Sequence, residues 1–277
     1  MELKLPDLRI VDTRRLVLHE ESDPSRSERI AARLAEEKVL GNPPIVASVP
    51  GTSKLIVLDG ANRVSAAFVL KLTALMVQVV DYADPEVRLH RWHHLLLELD
   101  GAALLESVRK IPLAIVEKTE AKTAERALSG KRVACVVRPR NGTAWRVLPR
   151  PGVSPAAVMR AVTDIYKRRT QIYRIADEQI DRLAEQTAAN VTAVILFPGF
   201  RKQDIVRFAL KEGEKLPPGI TKHFIPNRAL KVNLPLSVLR GKKTLAARNR
   251  ELAALIARKS REKKIRAYPE PTVIFDE

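Results

Sequence analysis

Leu55-Ile56-Val57-Leu58-Asp59-Gly60-Ala61-Asn62-Arg63 runs from an unbroken apolar segment straight into Asp-Gly, and Val64, Ala67 and Phe68 then recur at helical spacing. The pattern predicts a strand over Lys54–Leu58, a tight turn at Asp59-Gly60 and a helix over Ala61–Lys71. A corner of this kind attracts anions, because the first N–H groups of a helix have no internal partner and the helix dipole adds positive potential there. Gly60 lets a phosphate approach the backbone, Asp59 offers a carboxylate to a divalent metal, and Arg63 adds a charged fork. Taken alone, a structural corner with a capping aspartate and a solvated arginine accounts for the same residues.

Outward from the corner, Ile45–Val49 pairs naturally with Lys54–Leu58 across Pro50-Gly51-Thr52-Ser53 as a hairpin. Asp23-Pro24 starts a helix, with the carboxylate as cap and proline at the first helical position, and Ile30, Ala31, Leu34 and Ala35 give it an apolar stripe to about residue 37. Before it, Leu8–Leu18 reads as β and leads into His19-Glu20-Glu21-Ser22. After the corner, Ala74–Val80 is a strand, and Glu86 to Arg109 carries a less regular helical signal. Lys131–Val137 and Ala144–Leu148 form a second hairpin turned by Asn141-Gly142, a pair suited to a type I′ turn. Ser154-Pro155 begins a helix, Val191–Phe197 is a buried strand and Lys202–Lys211 a short amphipathic helix. Thr221–Leu234 is strand-like with a break at Pro226-Asn227, and Thr244–Arg261 is a basic helix with Leu252, Leu255 and Ile256 inward. The fold class is α/β (mixed α+β). Two domains are expected: residues 1–85, nucleotide-binding and catalytic, and residues 86–277, a second α/β part that supplies substrate-binding residues and closes the active site.

The 277 residues suffice for a buried core. One cysteine, Cys135, excludes a disulfide framework and a cysteine-based zinc site within the chain, and fits a reducing cytoplasm. The N-terminal stretch lacks the apolar core of a signal peptide, and no apolar run is long enough to span a bilayer. Net charge is +17, unevenly spread. Residues 1–100 hold 13 Lys/Arg against 15 Asp/Glu, and the remainder holds 36 against 17. Such an excess attracts polyanions, from nucleotides to nucleic acid.

Asp59-Gly60-Ala61-Asn62-Arg63 resembles the Asp-Gly-x-x-Arg signature of the ParB/sulfiredoxin superfamily. The reactive cysteine of sulfiredoxin is absent from the turn, and so is the Gly-Glu-Arg-Arg run of the chromosome-partitioning clamps. The branch that matches is the free L-serine kinases, ADP-dependent in archaea and ATP-dependent in siderophore clusters. His19-Glu20 ends the first strand where those kinases place their catalytic glutamate. Pro50-Gly51-Thr52 through Arg63 matches their phosphate corner. Leu216-Pro-Pro-Gly-Ile-Thr221-Lys222-His223-Phe-Ile-Pro226 is similar to their Thr-Arg-His segment. The chain departs from the pattern at Asn62, where the kinases often have His, and at Lys222, which replaces Arg and trades a planar fork for a point charge.

The resemblance implies transfer of a phosphoryl group from ATP or ADP to L-serine, with Mg²⁺, giving O-phosphoserine for cysteine or a related precursor. Glu20 and Asp59 are then catalytic, and Glu20 is the base that takes the acceptor proton. Gly60, Ala61, Asn62 and Arg63 hold the nucleotide, Asp59 the metal, and Trp92, Thr221, Lys222 and His223 the acceptor. The three histidines His90, His93 and His94 around Trp92 would place His90 and His94 one turn apart on a helix, but no further ligand stands at a matching spacing, which favours packing over a metal site. The alternative from a different class is a ParB-like DNA-binding regulator that senses a nucleotide. Arg248, Asn249 and Arg250 on the basic helix are its candidate base readers. Weak, non-specific nucleic-acid binding through the basic part is compatible with either function.

Overall fold

The corner forms: Leu55–Asp59 is a strand, Gly60 takes φ of 90°, and Ala61–Val69 is a helix. The computed structural model describes residues 5–130, 132–139, 143–180 and 191–267. By its contacts the chain falls into two units, one made of the segment up to Val17, Asp23–Val87 and the segment from Ile225, the other of Leu18–Ser22 and Arg88–Phe224. The segment after Ile225, assigned from sequence to the second part, therefore groups with the first.

The first unit is built on a five-stranded sheet in which Asp7–Asp12 pairs antiparallel with Ala74–Val80, that strand pairs parallel with Ile45–Ser48, and Ile45–Ser48 pairs antiparallel with Leu55–Asp59. Val46, Ile56, Leu75 and Met76 are wholly buried in it. Helices Pro24–Glu37 and Ala61–Val69 pack against each other. Asp23 caps the first of them, accepting from Arg26 N at 3.2 Å, and Pro24 opens it. We expect Asp23→Ala to destabilise the protein by about 1 kcal/mol, because the capped N–H loses its acceptor. A shift of the urea midpoint reads this out, and an unmoved midpoint would show the cap to be idle.

The returning segment is woven into this unit. Leu234–Pro235 pairs with Val39–Leu40, and helix Leu245–Arg261 lies along Asp7–Asp12. Asn249 both donates to Ile10 O and accepts from Ile10 N, at 2.8 and 2.9 Å. Arg248 is buried and donates to Leu239 O and Gly241 O. Two of the three candidate base readers thus hold the fold together. That corrects the reading of this helix end as a recognition surface.

The second unit carries a six-stranded sheet in the order Ile172–Ile175, His93–Leu97, Val191–Leu196, Cys135–Pro139, Thr143–Pro149 and Ala114–Glu120, with antiparallel neighbours. Helix Ala121–Ala127 closes one face over Leu95, Val136, Ala144, Val194 and Leu196. Helices Gly101–Arg109 and Pro155–Tyr166 pack together, the latter also on Thr143–Pro149. Arg88–Arg91 pairs with Thr221–Phe224 as a separate ribbon. The helix expected from Glu86 begins only at Gly101, behind the Asp100 cap. Two strands precede it, since the run through buried Leu95 and Leu96 is a strand that periodicity alone does not separate from helix. His90 and His94 therefore lie on different strands, not one helical turn apart. The Asn141-Gly142 turn lies outside the described residues.

Candidate active site

In the first unit the groups singled out from sequence gather at the corner. No side chain caps the helix at Ala61, and the first N–H groups of a helix lack intrahelical partners. Asp59 accepts from Arg63 Nη2 at 3.1 Å, and the other Arg63 nitrogen, Nη1, donates to Asn42 O at 3.0 Å. A β-carbon on Gly60 would stand 3.1 Å from both Pro44 Cα and Arg63 Nε, so glycine suits the spacing as well as the positive φ. Asn62 turns elsewhere: its carbonyl oxygen accepts from Asp23 N at 2.8 Å and from Ser27 Oγ at 3.4 Å, tying the start of helix Pro24–Glu37 to the corner.

A further cation stands here that sequence reasoning missed. Arg228 Nη1 lies 3.3 Å from Asp59 Oδ2, so the carboxylate sits between two guanidiniums. Buried Gln78 holds the turn that carries Arg228, donating to Asn227 O and accepting from Ala229 N at 3.0 and 2.9 Å. The signal was present in the sequence: a glutamine inside the apolar strand Ala74–Val80 must find partners for its amide.

In the second unit Glu20 is the organising group. Its Oε1 accepts from Ile220 N, Thr221 N and Thr221 Oγ1 at 3.2, 2.6 and 2.6 Å, and its Oε2 accepts from Gly219 N at 2.9 Å. With Thr221 Oγ1 donating to the carboxylate, the 2.8 Å contact to His19 Nε2 runs the other way, with the imidazole N–H as donor. His223 stands edge-on to His19, their ring centroids 5.5 Å apart. Lys222 Nζ lies 4.1 Å over the Trp92 ring, a cation–π contact that leaves the ammonium available to an anion. Trp92 N donates to Ile220 O at 2.7 Å, so the same loop is pinned from both sides. The acids next in sequence are engaged otherwise: Asp23 caps its helix and Glu21 lies 3.5 Å from Arg160.

The two ring nitrogens of His93 are taken by Asp177 and by Phe197 N, and those of His94 by Tyr166 and Gly219 O. Burial pushes both imidazoles below the usual histidine range, His94 to about 4, so both are neutral near pH 7. Among the described residues no cluster of three or more His, Cys, Asp or Glu is arranged to hold a metal ion. No helix among them is long and apolar enough to cross a membrane.

No family model matches the chain. It is 23% identical over 237 residues to an ATP-dependent L-serine kinase of Staphylothermus marinus, covering 83% of this chain and 90% of that one. An ATP-dependent L-serine kinase of Desulfurococcus mucosus is 22% identical over 241 residues, with the same coverage. Among solved structures, a free serine kinase in complex with AMP superimposes with a TM-score of 0.74 at 16% identity, over 86% of this chain and 95% of the other. The chain has the free serine kinase fold. Within that fold, Glu20 and the 219–221 loop belong to one unit, and the Asp59–Arg63 corner with Arg228 to the other.

Proposed function

We propose that this protein is a kinase that transfers a phosphoryl group from ATP or ADP to the hydroxyl of free L-serine, giving O-phospho-L-serine. The observation that carries the reading is the Asp59–Arg63–Arg228 corner, an uncapped helix start flanked by two guanidiniums, found within the free serine kinase fold. The names of the two relatives favour ATP as donor. The Asp-Gly-x-x-Arg corner favours an origin in the ParB/sulfiredoxin superfamily.

The roles follow from the chemistry each group offers. Arg63 and Arg228, with the N-terminal end of the helix after Gly60, bind and orient the nucleotide phosphates. Ala61 leads that helix, while Asn62 braces the corner from behind. Lys222 and His223 offer positive or donor groups to the acceptor carboxylate or the transferred phosphate, and Trp92 gives the small amino acid a rigid wall. Thr221 positions the acceptor. Glu20 takes up the hydroxyl proton at Oε2, the oxygen that accepts one hydrogen bond to its partner's three. Asp59 would hold Mg²⁺ through its one carboxylate, since among the described residues no cluster of three or more His, Cys, Asp or Glu stands ready as a cage. Bound there, Mg²⁺ would neutralise charge on the phosphates.

The test is direct. Protein, L-serine and Mg²⁺ are incubated with ATP or with ADP, and O-phosphoserine is sought by mass spectrometry. Product with either donor supports the proposal, and none with either overturns it. With Arg248 and Asn249 committed to the fold, DNA binding is expected to be weak and blind to sequence. Non-specific dissociation constants are roughly 10⁻⁴–10⁻⁶ M at physiological salt and weaken steeply as salt rises. A titration of upstream and scrambled duplexes at about 150 mM salt checks this, since screening there reaches within about 8 Å. Nanomolar, sequence-selective binding would favour the regulator instead.

A further inference from the structure

We infer that His94 is a positioning residue for Glu20, acting through the backbone of Gly219. The inference rests on the kinase reading for its consequence in turnover, and on geometry for the link itself.

The link runs through consecutive hydrogen bonds inside the second unit. Tyr166 OH lies 2.7 Å from His94 Nδ1, and His94 Nε2 lies 3.1 Å from Gly219 O. A carbonyl oxygen only accepts, so Nε2 carries the imidazole proton. The neutral ring then accepts at Nδ1, which makes the Tyr166 hydroxyl the donor there. The same peptide residue faces the carboxylate from its other end, with Gly219 N donating to Glu20 Oε2 at 2.9 Å. Gly219 is thus gripped at its carbonyl by His94 and grips Glu20 with its amide.

The surroundings leave that residue little freedom. Gly219 takes φ of 76°, and a β-carbon there would fall inside the Arg174 guanidinium. Arg174 stands opposite His94 on the neighbouring strand. His94, Tyr166 and Phe197 are buried, with Phe197 edge-on to the imidazole at 5.0 Å. A rigid, neutral donor with a fixed tautomer is what holding one carbonyl in place requires. A charged histidine would lose its acceptor at Nδ1 and turn Tyr166 away. Burial, which keeps the ring neutral, therefore serves the same end.

The histidine cluster read from sequence as packing is, on this account, divided in labour. His93 joins Asp177 to the Phe197 backbone, and His94 supports the loop that fixes Glu20. Removing the His94 donor should let Gly219 rotate, which loosens both the Oε2 contact and the adjoining Thr221 contacts.

The experiment compares His94→Leu with His94→Gln, because the glutamine amide reaches about as far as Nε2 and keeps a donor for Gly219 O. Exchange of backbone amides in the 216–224 segment is followed by mass spectrometry, alongside steady-state kinetics. His94→Leu is expected to speed exchange in that segment, raise the serine KM and lower kcat at least tenfold, with the nucleotide KM unmoved. His94→Gln is expected to restore both exchange and serine KM toward wild type. A merely structural role would lower the active fraction and move neither KM. If His94→Leu folds poorly, Tyr166→Phe deletes one hydroxyl and is read the same way, with smaller changes in the same direction. Unaltered exchange at 216–224 in the variant that folds overturns the inference. A wild-type protein that makes no phosphoserine would overturn the kinase reading instead, while the exchange data still decide the link.

Discussion

Glu20→Gln is expected to lower phosphoserine turnover by about 10²–10⁴-fold, the usual cost of losing a general base, with nucleotide affinity unchanged. Nucleotide affinity should hold because the proposed phosphate-binding groups, Arg63 and Arg228, belong to the other unit. Glutamine is also a demanding substitution here. It has one acceptor oxygen and an NH₂ group, yet the carboxylate it replaces faces donors at both oxygens. If the amide oxygen keeps the Ile220 and Thr221 contacts, the NH₂ must face Gly219 N–H, two donors in opposition. A loss of turnover therefore needs a second readout. Unchanged amide exchange over residues 216–224 in the variant would assign the loss to the missing base, and faster exchange there would assign it to the disturbed loop. Turnover within about tenfold of wild type would remove Glu20 from the role.

Arg63→Ala is expected to weaken nucleotide binding roughly ten- to hundredfold, since hydrogen bonds to charged groups contribute about 1.5–3 kcal/mol and about 1.4 kcal/mol is tenfold. Asp59→Asn separates two roles for the carboxylate. As a metal ligand it should lower affinity for the Mg²⁺–nucleotide complex and spare the metal-free nucleotide. As a mere tether between Arg63 and Arg228 it should affect both alike. Calorimetric titration with and without Mg²⁺ distinguishes these outcomes. Unchanged affinity in both variants would make the corner structural and leave the kinase proposal without its main support. Because Arg63 also donates to Asn42 O, thermal unfolding of the variant must accompany the titration.

Much of this is legible in the sequence. Ala74–Val80 has the bounds read from its apolar run, and Asp23-Pro24 starts its helix by the capping logic that identified it. What failed did so for local reasons. The stretch from Glu86 mixes charged and apolar residues irregularly, and its strands exist because they pair with partners at Thr221–Phe224, Val191–Leu196 and Ile172–Ile175, all distant in sequence. Thr221–Leu234 read as one interrupted strand. In fact β structure holds only at Thr221–Phe224 and Leu234–Pro235, with positive φ at Asn227, Lys231 and Asn233 between. That irregular stretch carries Arg228, which no periodicity could single out. The family resemblance located Glu20 and Thr221, but not that one is held by the backbone of the other.

The hydrogen bonds between Asn249 and Ile10 join residues 239 positions apart. Such a closure raises contact order, and the entropy of closing so long a loop must be met before its contacts repay it. During synthesis, which proceeds at about 5–20 residues per second, the second unit has all its residues before the first receives the segment from Ile225. The second unit can therefore mature on the ribosome while the first waits for the segment from Ile225. Arg228 arrives with that segment, so the corner around Asp59 is completed only after the second unit has been synthesised. A ribosome-stalled chain that has emerged from the exit tunnel only as far as Phe224 should accordingly yield a protease-resistant second unit and a first unit still open to cleavage.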